Sequence, residues 1–243
     1  MKGNVVARSS IDPGTRSTMY ALFQSQFESV PFEQFSADLD EKNWVLLLRR
    51  DDGALIGFSC MHFYDIVVDG EPLTVIYSGD TVIDPETWSD SALSYYWMGA
   101  VDYLRRLHGK ESVYWFLLVS GYRTYRFLPV YSTEYYPRLD RPTPEKTQRI
   151  MDTMASQRFG SAYDPAAGVV RFNVPPVLRD GLRGIPENRL SDPHVAFFNE
   201  RNPGHEAGDE LVCFSMLSES TLTRLGVRMW RKGKALYPDV VEA

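Results

Sequence analysis

Residues 74–121 read TVIYSGDTVIDPETWSDSALSYYWMGAVDYLRRLHGKESVYWFLLVSG, and the order of patterns in this stretch decides the fold. It opens with an apolar, β-branched strand that carries Gly79 near its middle. Glycine inside a strand marks a bulge or the close approach of another backbone. The polar segment ETWSDSA follows, in which Ser89 or Asp90 can cap a helix by accepting from its first free amides. Leu93, Trp97, Ala100, Val101, Leu104 and Leu107 then recur at helical period and give that helix one apolar stripe. Arg105, Arg106, His108 and Lys110 close it, where positive charge suits the helix dipole. VYWFLLVSG is almost wholly apolar, as a central strand covered on both faces should be. The stretch is a βαβ unit, with an anion or cofactor site expected at its strand-to-helix turn.

Upstream, residues 5–11 predict a first strand, and Thr15 is the expected N-cap of a helix carrying Met19, Leu22, Phe23 and Phe27. Pro31 breaks that helix, and Phe32, Phe35 and Leu39 mark a second. Residues 43–50, 54–68 and 71–83 are three strands joined by the tight turns Asp51-Asp52-Gly53 and Asp69-Gly70, an antiparallel meander. Downstream, the Tyr- and Arg-rich residues 121–137 begin with a short helix, and residues 145–159 form a longer one with Ile150, Met151 and Met154 inward. Residues 164–193 are rich in Pro and Gly, with one strand expected at 169–173, residues 192–208 read as a loop around a short helix or strand, and 164–208 together read as an insertion or lid. Residues 209–230 close the fold with a strand (ELVCFSML) and a short helix, after which the last ten or so residues are expected to be mobile.

The sequence of 243 residues contains no internal repeat or low-complexity linker and reads as one elaborated domain, residues 1–243. A hydrophobic content of 44% is enough for a packed core. The net charge of −6 argues against a nucleic-acid partner, which needs a dense basic surface. No apolar run approaches the ~20 residues of a membrane span. Cys60 and Cys213 lie in apolar runs, and MKGNVVARSS lacks an export core, so a reducing cytoplasmic setting is expected. There is no Gly-x-Ser-x-Gly elbow, no Gly-x-x-x-x-Gly-Lys loop and no Cys-x-x-Cys pair. His194 and His205 with Glu200 and Glu206 have no zinc-like spacing, and no metal is expected.

The order of elements, strand, two helices, three antiparallel strands, helix, parallel strand, helix, then further strands, resembles the GNAT superfamily of N-acyltransferases. Ile83-Asp84-Pro85 stands where that family has Val-x-Pro, and Trp88-Ser89-Asp90-Ser91 stands where it has Arg-Gly-x-Gly. The resemblance covers residues 5–160 and, more loosely, the C-terminal strands. It implies an α/β (α+β) fold with a mixed, mostly antiparallel central sheet flanked by helices, and an elaborated C-terminal segment. It also implies a donor thioester held by Thr81, Val82, Ile83, Asp84, Trp88, Ser89, Asp90, Ser91 and Ala92. Replacement of the glycines by serines, and of the cation by Trp88, makes the loop less suited to a diphosphate. The resemblance then points to the branch of acyl-homoserine-lactone synthases, N-acyl amino acid synthases and lipopeptide-pathway enzymes. The expected donor is a long-chain acyl thioester on the phosphopantetheine of an acyl carrier protein, or acyl-CoA. The acceptor is a primary amine of a peptide, amino acid or small molecule.

Within that resemblance Asp80 is the first choice of base, with His62 as the alternative. Tyr125, Tyr122 and Tyr131 are candidates to protonate the leaving thiolate, and Glu134 is a weaker candidate for amine binding. Acyl carrier proteins are acidic, so Arg105, Arg106, Lys110, Arg123, Arg126, Arg138 and Arg141 are a candidate docking group. The competing readings are a conventional acetyl-CoA acetyltransferase and a non-catalytic acyl- or protein-binding domain.

Overall fold

The computed structural model describes residues 1–84 and 92–238. In chain order the elements are β1 (Lys2–Ala7), α1 (Pro13–Gln24), β2 (Phe27–Glu28), α2 (Phe32–Asp40), β3 (Trp44–Arg49), β4 (Leu55–Val68) and β5 (Glu71–Ile83). They continue as α3 (Ala92–Leu107), β6 (Val113–Val119), α4 (Tyr122–Tyr125), α5 (Phe127–Tyr131), β7 (Tyr135–Tyr136) and α6 (Glu145–Phe159). The C-terminal part holds β8 (Tyr163–Asp164), β9 (Val169–Val170), β10 (Val177–Leu178), α7 (Pro193–Arg201), β11 (Glu210–Leu217) and α8 (Arg224–Lys234).

The main sheet runs β1-β3-β4-β5-β6-β11-β9-β8, with β7 also on β11, and a two-stranded ribbon joins β10 to β2. Only β5 and β6 pair in parallel; the other described pairs are antiparallel. Helices cover both faces, so this is the mixed, mostly antiparallel sheet that the sequence implied. One face packs on α3, α7 and α8 through Leu46, Ile76, Trp97, Val101, Leu117 and Phe198. The other packs on α6 around Val75, Tyr77 and Phe116, and on α1 and α2 around Met19, Phe35 and Phe58. Asp69 (φ 52°) and Gly70 (φ 80°) make the left-handed turn that joins β4 to β5.

Several local expectations are corrected. The first strand spans Lys2–Ala7 rather than 5–11, because it pairs with β3 only as far as Ala7↔Trp44. The cap of α1 is Asp12, whose carboxylate accepts from the Thr15 amide, and not Thr15. The strand expected at 169–173 is the two-residue β9, and β8 and β10 are further two-residue strands there, whereas α7 is the short helix expected within 192–208. The terminal helix extends to Lys234, capped by Thr223, and Tyr237 is tied down by its hydroxyl to the Gly3 carbonyl at 3.1 Å. The expected caps Ser89 and Asp90 lie outside the described residues.

Gly79 is where the sheet changes. β5 pairs with β6 only from Val75↔Tyr114 to Ser78↔Leu117. On its other edge, the β4 register jumps from Ser59↔Thr81 to Met61↔Ser78. Gly79 and Asp80 therefore stand opposite the single residue Cys60, a bulge. The faces confirm the extra residue. Ile76 packs toward α3, yet Val82, six residues on, packs toward α1 and α2, while Ile83 returns to the α3 face. Beyond Ser78, β5 keeps β4 as its partner and parts from β6.

Candidate active site

A cavity of about 760 Å³ occupies the gap opened by that bulge. Its wall draws on both faces of the sheet. Ser94, Trp97, Trp115, Leu117 and Tyr131 line it on the α3 side, and Phe35, Asp38, Lys42, Tyr77 and Arg158 on the side of α1, α2 and α6. The cavity thus passes through the sheet between β5 and β6. Its α3-side wall is aromatic: Trp97 and Trp115 lie 4.4 Å apart between centroids, and the Trp115 Nε1 donates to Ser78 Oγ at 2.8 Å. The indole NH is thereby satisfied without breaking the apolar lining.

The opposite pole is charged. Asp80 and Glu210 both line it, from the β5 bulge and the first residue of β11. Val212 and Phe214 pack toward α6, so the two-residue period of the strand puts Glu210 on that face as well. Neither carboxylate has a hydrogen bond or ion pair among the described residues. Burial pushes Asp80 up to about 6, against the opposing attraction of Lys42. Burial pushes Glu210 further, to about 8, with the charge of Asp80 adding to it. Asp38, on the rim, is raised for the same reason of desolvation. At neutral pH those values leave Asp80 ionised and Glu210 protonated.

Two cations share this pole. The buried Lys42 donates to the Asp38 carbonyl at 2.7 Å, and its stem lies over Gly79, where a Cβ would come within 2.8 Å of Cε. Burial, then the neighbouring Arg158, holds its ammonium pKa below the usual lysine range. Arg158 stacks 4.1 Å over the Tyr77 ring, donates to Glu41 at 2.9 Å and meets His62 Nδ1 at 3.2 Å. Burial raises the Tyr77 phenol and lowers His62, which keeps the imidazole neutral.

The structure sorts the residues singled out by sequence. Asp80, Thr81 and Ile83 line the cavity. Thr81 Oγ1 bonds Ser59 at 2.8 Å, and the Ile83 carbonyl accepts from Gln26 at 2.6 Å. Val82 turns away into the α1–α2 core, and Asp84 bonds Arg50 at 3.3 Å outside the cavity wall. Ala92 is buried at the start of α3; Trp88, Ser89, Asp90 and Ser91 lie outside the described residues.

Among the tyrosines, Tyr131 lines the cavity, its hydroxyl 2.9 Å from Ser94 Oγ in the first turn of α3. Tyr125 is fully buried away from it and donates to the Pro137 carbonyl at 2.9 Å. Tyr122 is buried beneath the Arg123 guanidinium. His62 stacks on Tyr64 behind Arg158 and does not reach the cavity wall. Glu134 is engaged by Arg141 at 2.7 Å.

Glu210, Lys42 and Arg158 were not singled out by sequence reasoning. A lone charge heading the apolar strand ELVCFSML was the available signal for Glu210.

The candidate docking group is dispersed and paired. Arg105 and Arg106 both clamp the buried Asp102, at 2.9 and 2.8 Å. Lys110 pairs with Asp65, Arg126 with Asp192, Arg138 with Asp140 and Arg141 with Glu134. Arg123 donates to the Leu182 carbonyl at 3.1 Å. Among the described residues no group of three or more His, Cys, Asp or Glu side chains could hold a metal ion, and no helix is long and apolar enough to cross a membrane.

No protein-family model matches this sequence, and no curated protein matches it. Solved structures overlap with part of it. A protein from Enterococcus faecalis V583 described as a probable N-acyltransferase is 16% identical over 56% of this chain, with a TM-score of 0.39. The overlap covers 34% of that protein, so this chain spans about a third of its length. A GNAT family N-acetyltransferase from Escherichia coli, in complex with CoA, is 18% identical over 55% of this chain and 70% of its own, with a TM-score of 0.39. An acetyltransferase from Trypanosoma brucei is 17% identical over 58% of this chain and 99% of its own, at 0.38. Overlaps this partial say nothing of substrate.

Proposed function

We propose that this protein is an N-acyltransferase that moves an acyl group from a thioester, of coenzyme A or of a carrier protein's phosphopantetheine, to a primary amine. The observation that carries the reading is the through-sheet cavity at the Gly79–Asp80 bulge, with an unbonded carboxylate of raised pKa on its wall. Such a cavity admits a thioester from the α3 side and an amine from the charged side, so that the two meet beside Asp80. A carboxylate near 6 is ionised at neutral pH yet basic enough to take a proton from an attacking amine.

The amine lone pair adds to the thioester carbonyl carbon, forming the C–N bond and a tetrahedral oxyanion. Asp80 receives the proton that the nitrogen sheds. Collapse of the intermediate breaks the C–S bond, and the thiolate takes a proton from the Tyr131 phenol, which Ser94 holds by a hydrogen bond. The protonated Glu210 adds no negative charge beside Asp80. The Trp97–Trp115 wall and the volume of the cavity favour a long acyl chain over acetyl.

The test is thiol release from acetyl, octanoyl and palmitoyl thioesters in the presence of mixed primary amines, with Asp80→Asn alongside the native protein. Turnover of the longer thioesters that Asp80→Asn lowers by about 10²–10³-fold supports the reading. Turnover confined to acetyl-CoA makes it a conventional acetyltransferase. Thioester binding without turnover makes it a non-catalytic acyl-binding domain.

A further inference from the structure

We propose that the exposed face of α8 is a docking surface for an acidic acyl carrier protein, a partner that rests on the N-acyltransferase reading above. The helix RLGVRMWRKGK carries five basic residues and no acidic one, in a chain of net charge −6. Its inner face buries Gly226, Met229, Trp230 and Gly233. Arg224, Arg228 and Arg231 then recur at i, i+4 and i+7 on the solvent side, one continuous stripe. Arg231 is held by Glu219 at 2.8 Å, whereas Arg224, Arg228 and Lys234 have no carboxylate partner among the described residues. This contrasts with the paired cations between Arg105 and Arg141. Leu225 and Leu236 are exposed beside the stripe, giving the mixed basic and apolar character of a protein contact.

The position of the helix makes the charge meaningful. α8 lies against both elements that form the thioester side of the cavity. At Gly233 a Cβ would come within 2.1 Å of the Tyr95 carbonyl of α3, and at Gly226 within 2.2 Å of the Tyr131 carbonyl of α5. These glycines bring the helix backbones into direct contact. Lys232 sits 3.6 Å over the Tyr95 ring, one residue from Ser94. α8 adds no residue to the cavity wall itself, but it packs on the α3 and α5 segments that carry Ser94 and Tyr131, so the phosphopantetheine arm of a partner on its outer face would reach the cavity past those segments. An acidic partner fits Arg224 and Arg228 of that stripe together with Lys234, which have no carboxylate partner among the described residues. A polyanionic nucleic acid or an anionic bilayer would have to meet the remainder of an acidic molecule over a far larger area.

The experiment measures binding of a fluorescently labelled acyl carrier protein by anisotropy, at low and at raised salt, to the full chain and to Arg224→Glu/Arg228→Glu. Turnover of an acyl N-acetylcysteamine thioester, which has no carrier protein attached, is measured in parallel. The expected result is salt-sensitive binding that the double variant weakens about tenfold or more, with small-thioester turnover unchanged. A milder Arg224→Gln/Arg228→Gln variant with native melting temperature should weaken binding by a smaller factor. Absence of carrier binding, or binding indifferent to both variants, overturns the proposal. So does retention on vesicles rich in anionic phospholipid in place of carrier binding. Failure of every thioester to turn over would instead sink the N-acyltransferase reading, while the anisotropy still decides the docking surface.

Discussion

Asp80 and Glu210 flank the end of β6 from opposite sides, one on the β5 bulge and the other at the first residue of β11, and both face the α6 side of the sheet. Their unequal pKa values, about 6 and about 8, define a window in which one is charged and the other is not. The pH–rate profile of the native protein should rise through about 6 and fall through about 8. Glu210→Gln, which mimics the protonated acid, should retain activity and lose the alkaline limb. An unchanged alkaline limb in that variant would remove Glu210 from the mechanism.

The same pair makes a stability prediction. Both carboxyls have folded pKa values above their unfolded ones, so the native state binds more protons. Their contribution is fully present below about pH 4 and is lost as pH rises, through about 6 for Asp80 and about 8 for Glu210. Glu210→Gln should therefore be more stable than the native protein at pH 9, and equal to it at pH 4. Urea midpoints at the two pH values check this.

Tyrosine variants separate a role at the cavity from one in the core. Tyr131→Phe should slow turnover about tenfold or more with little change in melting temperature. Tyr125→Phe should leave turnover intact and cost about 1 kcal/mol, because it removes the bond to the Pro137 carbonyl. The reverse pattern would restore Tyr125 as the proton donor.

Asp102 is a buried carboxylate held by Arg105 and Arg106. Asp102→Asn should destabilise by about 3 kcal/mol, because it leaves two partly buried guanidinium groups without their counter-charge. Equilibrium unfolding measures it, and a change under about 1 kcal/mol would mean that solvent compensates both arginines.

Acyl selectivity should follow the aromatic wall. Leu93→Trp narrows the α3 side of the cavity and should shift preference toward shorter thioesters. Trp97→Ala should shift it toward longer ones, at a stability cost of about 3 kcal/mol for the lost core contact. Ratios of kcat/KM across a chain-length series are the readout. Parallel losses for all lengths would mean that the acyl chain lies elsewhere.

The sequence by itself determined the periodicities and the punctuation. Alternating and helical patterns fixed the meander, α3, β6 and α6, and the glycine at position 79 marked the bulge. These are local signals, set by strand and helix geometry and by which backbone angles a residue tolerates. Asp80 was singled out through the family resemblance, as a carboxylate beside that glycine. What the tertiary structure decided were the pairings between distant segments. Glu210 enters the site because β11 inserts beside β6, some 130 residues after β5, and Arg158 because α6 lies over Tyr77. Tyr131 rather than Tyr125 reaches the cavity because two short helices, not one, follow β6 and turn the Tyr125 ring into the core. Burial then set the proton affinities, which depend on everything packed around a carboxyl and not on its neighbours in the chain.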